Sequence, residues 1–290
     1  MKGNKGLRVF EGATVIITGG ASGIGKAFAE ELAKRGAEVV LADLQVEQAG
    51  IIADAIRATG GKATAVKLDV TDSPAVEQVV HETFLRTGRL DYIFNNAGIM
   101  LSGGVHEFKT DDWNYIVNVN IRGVIAGIQA ACPIMFMQGF GHIVNTSSIS
   151  GLIPSPGEVA YAMTKHAVVG LSKSLRGQAG LFGVHVSVLC PGFIRTPMME
   201  NGGKYGRNYT RIDPAISSQI AERFKPMSPD LFACKSLEAI AKNKAMIIEP
   251  PWWRWVWRFY RLFPEYSINL SQKAFKMILI KTGMWPKTRK

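Results

Sequence analysis

Short apolar runs rich in β-branched residues alternate with longer stretches whose apolar positions recur at helical spacing. Thr14–Thr18 (TVIIT), Glu38–Ala42 (EVVLA), Ala63–Leu68, Leu90–Phe94, His142–Thr146 and Val184–Leu189 read as strands. Such runs suit strands covered on both faces. Between them, Gly25–Arg35, Val46–Thr59, Ser73–Thr87 and Tyr161–Gly177 read as helices. Gly36 and the pair Gly60-Gly61 mark helix ends, and Pro74 sits in a first turn. Thr110, Asp111 and Asp112 before Trp113 mark another helix start, with the helix running towards Met137. No internal repeat is evident. Strand–helix alternation predicts an α/β fold on a doubly wound parallel sheet, with right-handed crossovers placing helices on both faces.

Composition refines this picture. The chain has 290 residues, 47% apolar and 20% charged, which fits one globular domain with extras or two small domains and excludes wholesale disorder. Its formal net charge is +11. Cys132, Cys190 and Cys234 are widely spaced and lack metal-ligand spacing, so neither a disulfide framework nor a zinc site is expected. That usage suits a reducing, cytoplasmic setting. The N-terminal MKGNKGLRVFEGA is basic, but no apolar segment follows it, so no secretory signal is expected. The stretch Gly123–Gly157 carries no Asp, Glu, Lys or Arg, yet Pro133, Gly139, Gly141, His142 and NTSS interrupt it. A buried helix followed by a buried strand accounts for it, and no transmembrane helix is expected. The histidines form no plausible metal cluster.

The first candidate for chemistry lies between the first strand and first helix, in Thr18-Gly19-Gly20-Ala21-Ser22-Gly23-Ile24-Gly25. A glycine-rich turn there lets the backbone approach a pyrophosphate, whose charge the helix N-terminus favours. Glycine-rich turns alone are common in loops. Here Asp43 ends the second strand about 20 residues downstream, where a carboxylate accepts the hydroxyls of an adenosine ribose. Its neighbour Leu44 is not basic, so a 2′-phosphate would meet an unpaired carboxylate. NAD is therefore favoured over NADP.

An ordered series of motifs follows: TGGASGIG at 18–25, Asp69-Val70, Asn95-Asn96-Ala97-Gly98, Asn120 in VNVNIRG, Ser148 in IVNTSS, Tyr161 and Lys165 in YAMTK, and Pro191-Gly192-Phe193-Ile194-Arg195-Thr196. Over roughly residues 10–250 the chain resembles the short-chain dehydrogenase/reductase family. The resemblance implies a single-domain Rossmann fold, a nicotinamide cofactor, and interconversion of alcohols and carbonyls. It places Gly19, Ser22, Gly23, Ile24 and Gly25 at the pyrophosphate and its ribose, and Asp69 and Val70 beside the adenine. Asn96, Ala97 and Gly98 would line the cofactor, with Pro191, Gly192, Ile194 and Thr196 on the nicotinamide side. Asn120, Ser148, Tyr161 and Lys165 would form the catalytic group, and Ser148 and Tyr161 would touch the substrate.

The spacing of Tyr161 and Lys165 puts both on one helix face. A free phenol ionises near pH 10, and a nearby ammonium favours the phenolate. In the family picture Lys165 also holds the nicotinamide ribose, Ser148 holds the substrate oxygen, and Asn120 fixes a water linked to the lysine. Each piece also has a plain structural reading: a surface helix with an aromatic anchor, a serine-rich loop, a buried amide. Their joint order favours the catalytic one.

The family places a mobile substrate lid over about 198–229, which here holds Met198, Met199, Tyr205, Tyr209, Ile212, Ile216 and Phe224. Its character suggests an apolar alcohol or ketone, of steroid, retinoid or long-chain type. Gly151–Pro156 would form part of the opposite wall. The alternatives are an NADP-dependent carbonyl reductase and a non-catalytic dinucleotide-binding scaffold. The family also implies homo-oligomers.

Residues 251–290 depart from the compact pattern. They hold five of the six tryptophans, and nine basic residues against Glu265, so +8 of the net charge lies here and +3 in residues 1–250. On a helical wheel Arg254, Arg258 and Arg261 share an arc of about 60°, with aromatic and aliphatic residues from Trp252 to Phe263 around the rest. Lys273–Lys281, with Phe275 and MILI, gives a second, less regular segment. This basic amphipathic extension admits three readings: an anchor on an anionic membrane surface, packing onto its own domain or a partner subunit, and nucleic-acid binding. The last has no support from the enzyme-like core, and no nucleic-acid partner is expected.

Overall fold

The computed structural model describes residues 6–199, 204–210 and 214–284. Among these residues seven parallel strands form one sheet in the order β3-β2-β1-β4-β6-β7-β9. The first half comprises β1 (Thr14–Thr18), α1 (Gly23–Lys34), β2 (Glu38–Asp43), α2 (Val46–Ala58), β3 (Lys62–Lys67), α3 (Ser73–Thr87) and β4 (Tyr92–Asn95). Next come the two-residue β5 (Leu101–Ser102), then α4 (Thr110–Val117), a π-helical turn at Asn118–Arg122, and α5 (Gly123–Gln138). After β6 (Gly141–Thr146), α6 (Val159–Ala179) and β7 (Val184–Pro191) stand β8 (Arg207–Asn208) and α7 (Pro214–Glu222). The chain closes with α8 (Pro229–Ala241), β9 (Met246–Glu249), α9 (Trp253–Leu262) and α10 (Pro264–Lys281).

The unbroken apolar runs behave as strands covered on both faces: every residue of β1, β4 and β6 is buried. On one face Phe28 and Leu32 of α1, Ile52 of α2 and Phe232 and Leu237 of α8 pack on the sheet. On the other, Val76 and Val80 of α3, Val124 and Ala131 of α5 and Val168 of α6 do so. Helix ends follow local chemistry. Asp72 accepts from the Ala75 amide and Gly88 closes α3 at φ 71°, while Ser228 accepts from the Leu231 amide ahead of Pro229.

The helical run Thr110–Gln138 is long and apolar enough to cross a membrane by length and composition. Half of its apolar window is buried, and it packs against α3, β4 and β6, as a core helix does. Gly127 lets it pass close to the sheet, because a Cβ there would lie 1.9 Å from the Asn95 amide oxygen.

The expected elements all form, with shifted ends: α1 begins at Gly23, β4 at Tyr92, and β7 reaches Pro191. The sequence pattern missed α8 and β9. The MIIE run of β9 is short and meets two prolines, yet it pairs with β7 from Val188↔Met246 to Pro191↔Glu249.

Candidate active site

The crossovers reverse direction between β1 and β4, so the loops leaving the carboxyl ends of these strands part and leave a crevice, where open α/β sheets bind ligands. A cavity of about 400 Å³ occupies it.

One wall is the glycine turn. Gly19 adopts φ +67°, and a Cβ on it would lie 2.9 Å from the Ala97 Cα, so this position needs glycine on both counts. Gly19, Ser22, Gly23 and Ile24 line the cavity at the start of α1, whose free amides favour an anion. Gly25 does not line it. A Cβ there would lie 2.0 Å from the Gly19 carbonyl oxygen, so Gly25 is needed beneath the turn, where α1 meets it. Gly25, expected at the pyrophosphate, is thus held tightly against the turn that the resemblance assigns to it.

Asp43 lines the cavity from the end of β2, beside Leu44. It also accepts from the Ala21 amide at 2.9 Å and the Gln45 amide at 2.9 Å, bracing the glycine turn. Asp69 and Val70 line the next stretch, and Asp69 accepts from the amide and hydroxyl of Thr71. Asn96, Ala97 and Gly98 line the floor. Thr18, which the sequence did not single out, knits them to the turn: its hydroxyl accepts from the Asn96 and Ala97 amides and donates to the Phe94 carbonyl. The Asn96 side chain donates back to the Thr18 and Gly19 carbonyls.

Pro191 and Thr196 line the far end, but Gly192 and Ile194 do not. Gly192 faces Trp253, whose indole nitrogen would lie 2.1 Å from an added Cβ. Ile194 is buried in the core beside α8 and bridges to Met227. Both residues also support this loop through those contacts.

Tyr161 and Lys165 line the cavity from the first turns of α6, 6% and 3% exposed. The lysine donates to the Thr146 carbonyl at 2.9 Å, and its nitrogen lies 5.5 Å from the centre of the Tyr161 ring. Burial lowers Lys165 to about 8, with Cys190 opposing. Burial also raises the Tyr161 phenol well above its usual range; the Ser148 hydroxyl lowers it and the Glu158 charge raises it.

Ser148 is buried at the start of a short 3-10 turn and accepts from the Ser150 amide at 3.1 Å. Ser147 fixes the spacing between β6 and α6 by donating to the Lys165 carbonyl at 2.7 Å. Asn120 sits in the π-helical turn, fully buried. Both of its amide hydrogens are engaged, with the Ile99 carbonyl at 2.9 Å and the Thr164 hydroxyl at 3.1 Å, and its oxygen accepts from the Ile99 amide. The side chain braces the segment after β4 against α6.

The lid folds over this cleft. Met198 and Tyr205 line the cavity, and the Tyr115 hydroxyl donates to the Tyr205 carbonyl at 3.1 Å. Arg207 and Tyr209 both reach Asp112, at 2.5 and 2.8 Å, and Leu101 pairs with Arg207 across β5 and β8. Asp112, expected only as a helix-start acid, anchors the lid. Phe224 stacks on Phe193 with centroids 4.5 Å apart. Ile212 lies outside the described residues. Glu158 was also missed, although it stands one helical turn before Tyr161; it accepts from the Ser150 hydroxyl at 3.4 Å.

Residues 13–204 match the family model described as short chain dehydrogenase. The chain belongs to the short-chain dehydrogenase/reductase family. It is 38% identical over 191 residues to the oxidoreductase UcpA of Escherichia coli K12, covering 66% of this chain and 72% of that protein. It is 36% identical over 223 residues to the levodione reductase of Leifsonia aquatica, covering 76% and 81%. Among solved structures, a short-chain dehydrogenase/reductase from Burkholderia phymatum in complex with NAD superposes with a TM-score of 0.80 at 31% identity, covering 90% of this chain and 96% of that one. In this family member the glycine-lined cradle, the α1 N-terminus and Asp43 fit a nicotinamide dinucleotide: the backbone comes close where glycine is required, and a carboxylate ends β2.

Proposed function

We propose that the chain is an NAD-dependent oxidoreductase that interconverts a secondary alcohol and a ketone on an apolar substrate. The observation that carries this reading is the convergence of Tyr161 and Lys165 with the glycine turn and Asp43 on one cavity. When bound there, the dinucleotide supplies the acceptor or donor of a hydride. The chain's residues do the rest. Lys165, which donates to the Thr146 carbonyl, would offer its remaining N–H groups to the ribose of a bound dinucleotide. Tyr161 takes the proton of the substrate hydroxyl in oxidation and returns one to the developing alkoxide in reduction. Ser148 donates to the same oxygen, a hydrogen bond that strengthens as charge develops. The lid, pinned at Asp112, excludes water from the reacting end.

Asp43 followed by the apolar Leu44 supports NAD over NADP, because a 2′-phosphate would be placed against the carboxylate; the nearby Lys204 is held by the Gln45 side chain. Ile99 and Val119, which cluster with Tyr161, and Met198 on the same cavity support an apolar substrate of steroid, retinoid or long-chain type. Fluorescence titration with NADH and NADPH tests the cofactor reading. NADH is expected to bind at least about tenfold more tightly, and Asp43→Ala to reduce that ratio. Equal affinities in the wild type overturn the preference. A screen of steroid, retinoid and aliphatic secondary alcohols, followed by NAD reduction at fixed pH, tests the substrate class.

A further inference from the structure

The extension is built into the domain by one face of α9. Trp253 is 5% exposed, packs over Gly192, and stacks with Phe193 and Phe224 at 6.1 and 6.0 Å. Val256, Trp257 and Tyr260 share that side and are partly buried. α10 lies across Gly157, whose added Cβ would meet the Phe275 ring at 3.1 Å. The other side of both helices faces outward.

At about 100° per residue, Trp255, Phe259 and Leu262 share an arc of about 60° on α9, roughly opposite the Trp253 side. They are 70%, 43% and 73% exposed. Arg254, Arg258 and Arg261 fill the adjacent arc. Arg258 lies over the Trp255 ring at 5.0 Å and Arg261 over Trp257 at 5.2 Å, so their charged heads border apolar surface. On α10, Tyr266, Leu270, Met277 and Ile280 share an arc of about 80° and are all exposed. Lys273 falls within that arc, and Lys276 and Lys281 fall at its edges. The two outward faces meet where Phe259 packs edge-on against Tyr266 at 6.0 Å.

We propose that the outward faces of α9 and α10 form one docking surface for an anionic lipid bilayer, with their aromatic and aliphatic side chains entering the headgroup boundary and Arg258, Arg261, Lys273 and Lys281 meeting lipid phosphates and carboxylates, while Arg254 stays paired with Glu249. Charge complementarity selects this occupant. Over 253–284 the extension carries six cations and a single acid, Glu265. A second copy seated face to face would bring two like-charged rims together, whereas an anionic leaflet attracts both. The exposed Trp255 and Tyr266 suit an interface with an apolar and a wet side, and the apolar arc is too broad and exposed for a solvated helix face. The docking surface stands beside the substrate lid, through the Phe224–Trp253 stack, and is independent of which alcohol is turned over.

Flotation of the full-length protein with vesicles tests the proposal. With about 30 mol % phosphatidylserine in phosphatidylcholine, the wild type is expected to float. With phosphatidylcholine alone, or in about 0.5 M salt, binding should fall by about tenfold or more. Trp255→Ser with Leu262→Ser, both outward-facing, should lower binding by about tenfold or more while NADH affinity is unchanged. Equal soluble recovery of the wild type with and without anionic vesicles overturns the proposal. So does equal flotation on both lipid compositions, or a wild-type dimer that the double substitution converts to monomer without changing flotation.

Discussion

At the residue scale the site turns on a buried phenol whose neighbours pull in opposite directions. Burial raises Tyr161, Ser148 lowers it and Glu158 raises it. Glu158 is itself raised by burial, with the Ser150 hydroxyl opposing. Glu158→Gln removes a negative charge that disfavours the phenolate, so the phenol ionises at lower pH. The rising limb of kcat/KM for alcohol oxidation should move to lower pH, and Ser148→Ala should move it the other way with a loss of rate. A limb that stays fixed or rises in Glu158→Gln would remove Glu158 from this account. The cradle glycines make a second prediction. Gly25→Ala sets a methyl group against the Gly19 carbonyl, and should weaken NADH binding and lower Tm together. The sequence shows that glycines cluster here, but not which of them faces ligand and which faces backbone. What Gly25 and Gly192 pack against, the Gly19 carbonyl and Trp253, is settled only by the fold.

At the scale of elements, α6 and the strand ends were legible because strand–helix alternation and helical spacing are local properties of the chain. The partners of short elements were not. β9 reads as a strand only once β7 lies beside it, and the lid's anchor at Asp112 needs Arg207, nearly a hundred residues away. Asp112→Asn weakens that anchor, since Arg207 and Tyr209 both converge on its carboxylate. It should raise KM by roughly fivefold with a smaller effect on kcat, and speed proteolysis near 204–210. Between β6 and β7, His142 is fully buried, with Nε2 2.8 Å from the Ser187 hydroxyl, which itself donates to the Lys244 carbonyl. Burial, His185 and Arg176 depress its pKa to about 3. Below about pH 6.5 the unfolded chain takes up a proton that the folded chain refuses, so stability present above that pH falls as pH drops, by about 1.4 kcal/mol per pH unit. Urea denaturation between pH 4 and 7 should show a shallower slope for His142→Leu than for the wild type; equal slopes would rule His142 out as its source.

At the scale of the whole molecule, the basic balance resolves into a near-neutral catalytic domain and a cationic extension. Packing onto its own domain describes the inward face of that extension, and the lipid docking proposed above concerns the outward one. Trp253 packs against the loop that follows β7, while Trp255, Phe259 and Leu262 face away from it. Cutting the chain at Pro250 therefore removes a core tryptophan along with the outward surface, and point substitutions on the outward face separate the two. Wheel geometry gave the arginine arc from sequence alone. Which arc faced inward depended on Gly192 and Phe193, which only the fold brings to Trp253. The most direct test of the account is Tyr161→Phe, assayed for NADH binding by fluorescence and for turnover on a substrate from the alcohol screen. The account predicts NADH affinity within about twofold of wild type and turnover lowered by at least about 10²-fold. Turnover retained within a few-fold, with the cofactor bound, would contradict it.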